Sequence, residues 1–291
     1  MNIRSYLFRF FRRLPDVHID VPGIPEKIRL FVHSHNEHVS KKLIELKHWE
    51  PTETQCIISL LQKPSFIVDV GANLGYYTIL FSRILSSNGL VISLEPDKTN
   101  FRLLKNNVWI NGLNNVELIN SAAAAYDGFA YMQMSEFNFG DHRLRIDPSE
   151  NRHAVSTVTL DSLILKYRQK PDFVKIDCQG SEILVLSGLA QSLSSSALRP
   201  KAMVIEVWPY GLVQAGGTVE DLLSLLPLEN YLMWDIGRWK GVPVMIEADQ
   251  LLSKCKNEIT IESELFTNIL LVNNEESHMI SRLKSMSNFF R

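Results

Sequence analysis

The stretch Phe66-Ile-Val-Asp-Val-Gly-Ala-Asn-Leu-Gly-Tyr-Tyr-Thr78 decides the fold. The apolar run Phe66–Val70 predicts a buried strand, Gly71–Gly75 a tight turn, and Tyr76–Phe81 the start of a helix. Strand, glycine turn and helix form the first unit of an open, mostly parallel α/β sheet with helices on both faces. Gly71 lets the chain reverse, Gly75 lets the helix approach a ligand, and the free N–H groups at the helix start attract an anionic group. A dinucleotide GxGxxG pattern would need glycine where Asn73 stands and a third glycine one residue beyond Gly75, so the turn fits a nicotinamide site poorly.

Outward from this unit, short apolar runs alternate with helical segments. Leu90–Leu94 and Val116–Ile119 read as the second and third strands, with a helix between them that begins after Asp97 as N-cap and stops before Gly112. Ala130–Met134 and Val155–Thr159 read as an inserted hairpin around the polar loop 135–152. Phe173–Ile176, Ala202–Val207, Tyr231–Trp234 and Asn268–Val272 bring the sheet to six or seven strands, while Gly237–Leu265 shows no clear pattern. The expected division is an N-terminal helical and irregular extension (1–64), a ligand-binding domain (65–275) with the insertion 135–152, and a C-terminal helix or tail (276–291). Arg4, Arg9, Arg12 and Arg13 alternate with Ile3, Leu7, Phe10, Phe11 and Leu14 at helical spacing. Such a basic amphipathic helix packs on its own domain or a second subunit, or touches a membrane surface peripherally.

The 30 basic and 32 acidic residues of this 291-residue chain leave a net charge of −2, which gives no electrostatic footprint for nucleic acid. Three cysteines without a CxxC pair argue against a disulfide framework and a thiolate metal cluster, and point to a reducing, cytoplasmic compartment. No apolar stretch reaches the ~20 residues that cross a bilayer. His33, His35 and His38 have no metal-site spacing, and no metal is expected. Neither a GxSxG elbow nor a Gly-Lys-Ser/Thr phosphate loop is present.

Two acids frame the ligand. Asp69, at the strand end, suits the ammonium of S-adenosylmethionine, and Glu95, about 20 residues past the turn, suits both ribose hydroxyls. The expected cofactor contacts are Asp69, Gly71, Ala72, Asn73, Gly75, Tyr77, Thr78, Glu95, Pro96, Ala122 and Asp177.

The same residues, with Leu94-Glu-Pro-Asp97, Asn100-Phe-Arg-Leu-Leu104 and Asn107, resemble the FkbM family of methyltransferases. Downstream, Ser156–Leu163, Asp172-Phe-Val-Lys-Ile-Asp-Cys-Gln-Gly-Ser-Glu182 and Val204–Trp208 continue the resemblance, which covers residues 64–236. It implies a Rossmann-like class I methyltransferase fold with a seven-stranded sheet, S-adenosylmethionine as donor, and hydroxyl groups of sugars or natural products as acceptors. Gln179 stands where the family usually has Glu, which alters the chemistry if that carboxylate takes part in it.

An alcohol acceptor needs one proton acceptor. Asp177, at the carboxyl end of the fourth strand, is the first candidate base, and Lys175, on the same strand face, could keep it ionised. The pair could equally be a structural ion pair. His142 in the insertion is the alternative base. Asn138, Gly140, Asp141, Glu182, Glu206 and Trp208 are expected at the acceptor, although Glu182 could serve the first turn of a helix and Glu206 could be a satisfied strand-end acid. The expected function is O-methylation of a small-molecule or glycan acceptor by a monomer or homodimer. N-methylation is the close alternative, disfavoured by the lack of an Asp/Asn-Pro-Pro-Tyr/Phe motif, and a catalytically inactive binding or scaffolding protein is the alternative of another class.

Overall fold

The computed structural model describes residues 14–33, 38–133, 143–145, 152–237 and 242–288. The strands are β1 (Asp16–Ile19), β2 (Ile28–Phe31), β3 (Phe66–Val70), β4 (Leu90–Leu94), β5 (Val116–Ile119), β6 (Ala122–Ala123), β7 (Gly128–Gln133), β8 (Arg143–Arg145), β9 (Arg152–Val158), β10 (Phe173–Ile176), β11 (Ala202–Val207), β12 (Tyr231–Asp235), β13 (Val244–Met245) and β14 (Thr267–Asn273). The main sheet has the order β13-β12-β14-β11-β10-β3-β4-β5. β3, β4, β5, β10 and β11 run parallel, and β14 inserts antiparallel between β11 and β12. This is the Rossmann-like class I methyltransferase fold. Seven of its strands correspond to the expected sheet. The eighth, two-residue β13, lies in the stretch whose sequence shows no pattern, because so short an edge strand leaves no periodicity to read.

Along β3, Phe66, Val68 and Val70 enter one apolar core and Ile67 the other, the period-two alternation of a strand covered on both faces. One core takes the helices α1 (His38–Leu46), α2 (Pro51–Leu60), α3 (Tyr76–Ile84), α4 (Lys98–Ile110) and α11 (Ser277–Asn288). The other takes α5 (Leu160–Tyr167), α6 (Glu182–Ser187), α9 (Val219–Ser224) and α10 (Ala248–Asn257), with α7 (Ala190–Ser194) and α8 (Pro209–Gln214) between them. α4 starts as the sequence predicts: the Asp97 carboxylate accepts the N–H groups of Thr99 and Asn100 at 2.8 Å each.

The expected hairpin is part of a second sheet, ordered β6-β9-β7-β8, in which β7 and β9 pair antiparallel. Upstream, β1 and β2 pair antiparallel, and Val17, Ile19, Leu43 and Ile57 share one core with Ile67, Phe81 and Val204. The N-terminal segment from Leu14 therefore packs into the body of the fold. The basic stretch 1–13 and most of the loop 135–152, with Asn138, Gly140, Asp141 and His142, lie outside the described residues.

Candidate active site

The carboxyl ends of β3, β4, β10 and β11 border a cavity of about 480 Å³, within the roughly 300–1,000 Å³ usual for small-ligand sites. The glycine turn forms its floor. Gly71 has φ +81°, and a Cβ there would stand 1.9 Å from the carbonyl oxygen of Asp177, so only glycine lets the turn lie against the end of β10. Asn73 also adopts a left-handed conformation, with φ +51°, and its N–H donates to Glu95 Oε2 at 2.8 Å. The other Glu95 oxygen accepts the Asp97 N–H at 2.9 Å. Glu95 is thus a brace for the turn as well as a lining residue, and the Asn100 side chain donates to it as well. Burial pushes its pKa up to about 8.

Asp69 is 1% exposed and accepts a hydrogen bond from Thr78 Oγ1 at 2.6 Å. Burial raises its carboxyl to about 6, against the pull of Thr78 and Lys175. Thr78 does not line the cavity and reaches it only through Asp69. Gly71, Ala72, Asn73, Gly75, Tyr77, Pro96 and Ala122 all line it.

Lys175 lies beside Asp69 in the parallel register of β10 and β3. Its ammonium is 2.7 Å from Asp177 Oδ2 and 4.6 Å from the centre of the Tyr77 ring. The Gln179 carboxamide donates through Nε2 to Asp177 Oδ1 at 3.1 Å and to both oxygens of Glu206, at 3.2 and 3.1 Å. Glu206 is 4% exposed, and burial next to Asp177 and Glu182 drives its pKa well above the carboxylate range. Trp208 closes this end of the cavity, its indole N–H donating to the Glu264 carbonyl at 3.0 Å.

Glu182, expected at the acceptor, does not line the cavity. It is fully buried, and its Oε1 accepts the N–H groups of Cys178 and Gly180 at 2.9 and 3.2 Å. Its place is under the turn that carries Asp177 and Gln179, with its pKa raised by burial to about 7.

Several lining residues carry no signal in the sequence. Trp49 and Glu50 come from the N-terminal segment, and Glu50 accepts a hydrogen bond from the Tyr77 hydroxyl at 3.2 Å. Glu264 and Phe266 line the cavity too, as does Asn100, which belongs to the stretch that resembles the family. Among the described residues the lining has six carboxylates, Glu50, Asp69, Glu95, Asp177, Glu206 and Glu264, and one basic side chain, Lys175.

An open α/β sheet with an acid-lined cleft at its carboxyl edge and a braced glycine turn defines a Rossmann-like methyltransferase. The chain belongs to the FkbM methyltransferase domain family, whose profile matches residues 69–233. No curated protein matches it. A methyltransferase FkbM from Methylobacillus flagellatus KT is 16% identical with a TM-score of 0.44, over 72% of this chain and 44% of that one. This chain thus spans less than half the length of that relative. A precorrin-6y C5,15-methyltransferase from Geobacter metallireducens GS-15 is 16% identical over 83% of this chain and 95% of that one, with a TM-score of 0.44. An O-methyltransferase from Bacillus cereus, in complex with S-adenosylhomocysteine, is 15% identical over 78% and 83%, with a TM-score of 0.39.

Proposed function

We propose that the protein methylates a hydroxyl group of a sugar, glycan or similar small molecule, with S-adenosylmethionine as donor. The observation that carries the reading is the acidic lining of the cavity, six carboxyl side chains to one ammonium among the described lining residues, of which burial holds Glu95 and Glu206 toward the neutral form until a donor or cation pairs with them. Such a lining favours a ligand with an ammonium and a sulfonium and disfavours a pyrophosphate. The residues fit the cofactor's parts: Asp69 and the turn Gly71–Gly75 for the methionine end, Glu95 for the ribose hydroxyls, and Pro96 and Ala122 for the base. The bound cofactor supplies an electrophilic methyl group and leaves as a neutral thioether.

The protein's own part is alignment and one proton. Holding two reactants in line removes much of the entropic barrier. Asp177 takes the proton of the acceptor hydroxyl, and Lys175 and Gln179, which each hold one of its oxygens, fix its orientation. Trp208 offers an apolar face for a sugar ring, and Glu206 an acceptor for a neighbouring hydroxyl.

The test is to incubate the protein with methyl-labelled S-adenosylmethionine and fractionated small-molecule and glycan extracts, and to follow labelled products by mass spectrometry. A labelled ether that disappears with Asp177→Asn supports the proposal. A labelled amine would move the reaction to nitrogen, and cofactor binding without any labelled product would leave a binding protein.

A further inference from the structure

Glu53 lies in α2, outside the segment that matches the family, and no motif marks it. Its side chain is 2% exposed. Oε2 accepts a hydrogen bond from Asn268 Nδ2, while Oε1 has no hydrogen-bond partner among the described residues and stands 3.7 Å from Lys175 Nζ. Facing it are three donors, the Lys175 ammonium, the Asn268 amide and the Tyr77 hydroxyl, and one like charge, Asp177. Burial and the neighbouring Asp177 push the Glu53 pKa upward, and Lys175, Tyr77 and Asn268 pull against them; the ammonium 3.7 Å away is the opposite charge that pairs with the Glu53 carboxylate. Lys175 is equally buried, at 3% exposure. Burial works against its ammonium, yet Asp177, Glu53 and Glu50 outweigh it and hold the pKa well above the ordinary lysine range.

This creates a question of charge. A fixed ammonium lines the cavity in which, on the reading above, a sulfonium must sit, and in a buried site two like charges repel strongly. Asp177 alone would neutralise Lys175, but the same carboxylate is then asked to accept a proton. A second counter-charge removes the conflict, and the Glu53 carboxylate, 3.7 Å from the same ammonium that Asp177 holds at 2.7 Å, provides it.

We infer that Glu53 is a positioning residue that offsets the Lys175 ammonium, so that the cavity holds a sulfonium beside a buried lysine. It follows that the N-terminal segment is an integral part of the active site. The inference rests on the cofactor assignment, and one comparison separates the two. S-adenosylmethionine and S-adenosylhomocysteine share every recognition group and differ in the methyl group and the sulfonium charge.

The experiment is calorimetric titration of the full chain with each compound. Glu53→Gln keeps the shape and removes the charge, so it should weaken S-adenosylmethionine about tenfold and S-adenosylhomocysteine by less than about threefold. Lys175→Met should do the reverse and improve the sulfonium compound relative to the thioether. The double variant should return the ratio toward that of the parent. Equal changes for both ligands in Glu53→Gln, or an unchanged ratio in Lys175→Met, would overturn the inference. If Glu53→Gln does not fold, as judged by its thermal transition, Lys175→Met decides alone. A parent protein that binds neither compound refutes the cofactor assignment instead.

Discussion

The backbone N–H of Asn73 donates to the carboxylate of Glu95 at 2.8 Å, which ties the glycine turn after β3 to the end of β4. One side chain therefore shapes the turn and presents oxygens to the ligand. Glu95→Ala should weaken S-adenosylmethionine by about 1.5–3 kcal/mol, since it removes a charged acceptor and releases two backbone donors. Glu95→Gln keeps an acceptor for one of them and should cost less. Equal affinities for parent and Glu95→Ala in calorimetry would place the ribose elsewhere.

Cofactor affinity should depend on pH through the buried carboxyls. In the empty protein burial holds Glu95 at about 8 and Asp69 at about 6. A ligand that donates to both, one of its groups cationic, favours their ionised forms, so both values fall on binding and protons are released. Affinity should therefore rise with pH by up to about tenfold per unit between 6 and 8, more steeply below 6, and level off above 8. Titrations in two buffers of different ionisation enthalpy would count the protons. Proton uptake, or affinity that falls as pH rises from 6 to 8, would contradict the assignment.

Gln179 spans Asp177 and Glu206 with one amide group. Gln179→Glu would restore the residue usual in the family, but would replace that donor with a third carboxylate among like charges. The expected cost is about 1–3 kcal/mol of stability at neutral pH. The sign follows from repulsion, which raises the pKa of such a cluster in the folded state: the penalty should shrink as pH falls toward 5 and grow toward 8. Thermal denaturation of both proteins across this range measures it.

Asp177→Asn keeps the hydrogen-bonding shape and removes proton acceptance. With an acceptor in hand, turnover should fall by roughly 10²–10⁴-fold, and cofactor affinity should change much less. Near-normal turnover in this variant, lost instead in His142→Ala, would move the base to the insertion.

The sheet was largely legible in the sequence because its strands are buried on both faces. Phe66–Val70, Leu90–Leu94 and Phe173–Ile176 are apolar runs broken at single positions, Asp69, Ser93 and Lys175, and their ends match those in the structure. The acids at those ends stood out because Asp69 and Asp177 interrupt or end apolar runs. Glu50 and Glu53 did not, because a lone carboxylate at the N-cap or in the first turn of a helix looks like any solvated one; docking of α2 onto the sheet buries Glu53 and leaves Glu50 half-buried. Of the two readings of Glu182, the first-turn helix acid is the one the structure bears out, since Glu182 opens α6. An acid this close to a strand end also reads as a ligand contact until the backbone N–H groups of Cys178 and Gly180 are seen to occupy it. α10 was hidden within an irregular stretch of low mean hydropathy, with Leu251 and Cys255 its buried residues.

The central claim is that the acid-lined cavity is built for S-adenosylmethionine. Titration calorimetry of the full chain with S-adenosylmethionine, S-adenosylhomocysteine and NAD, at one pH and salt concentration, tests it most directly. The account predicts dissociation constants in the micromolar range for the first two, about −8 kcal/mol, and weaker binding of NAD. Tighter binding of NAD, or no binding of either sulfur compound, would contradict it.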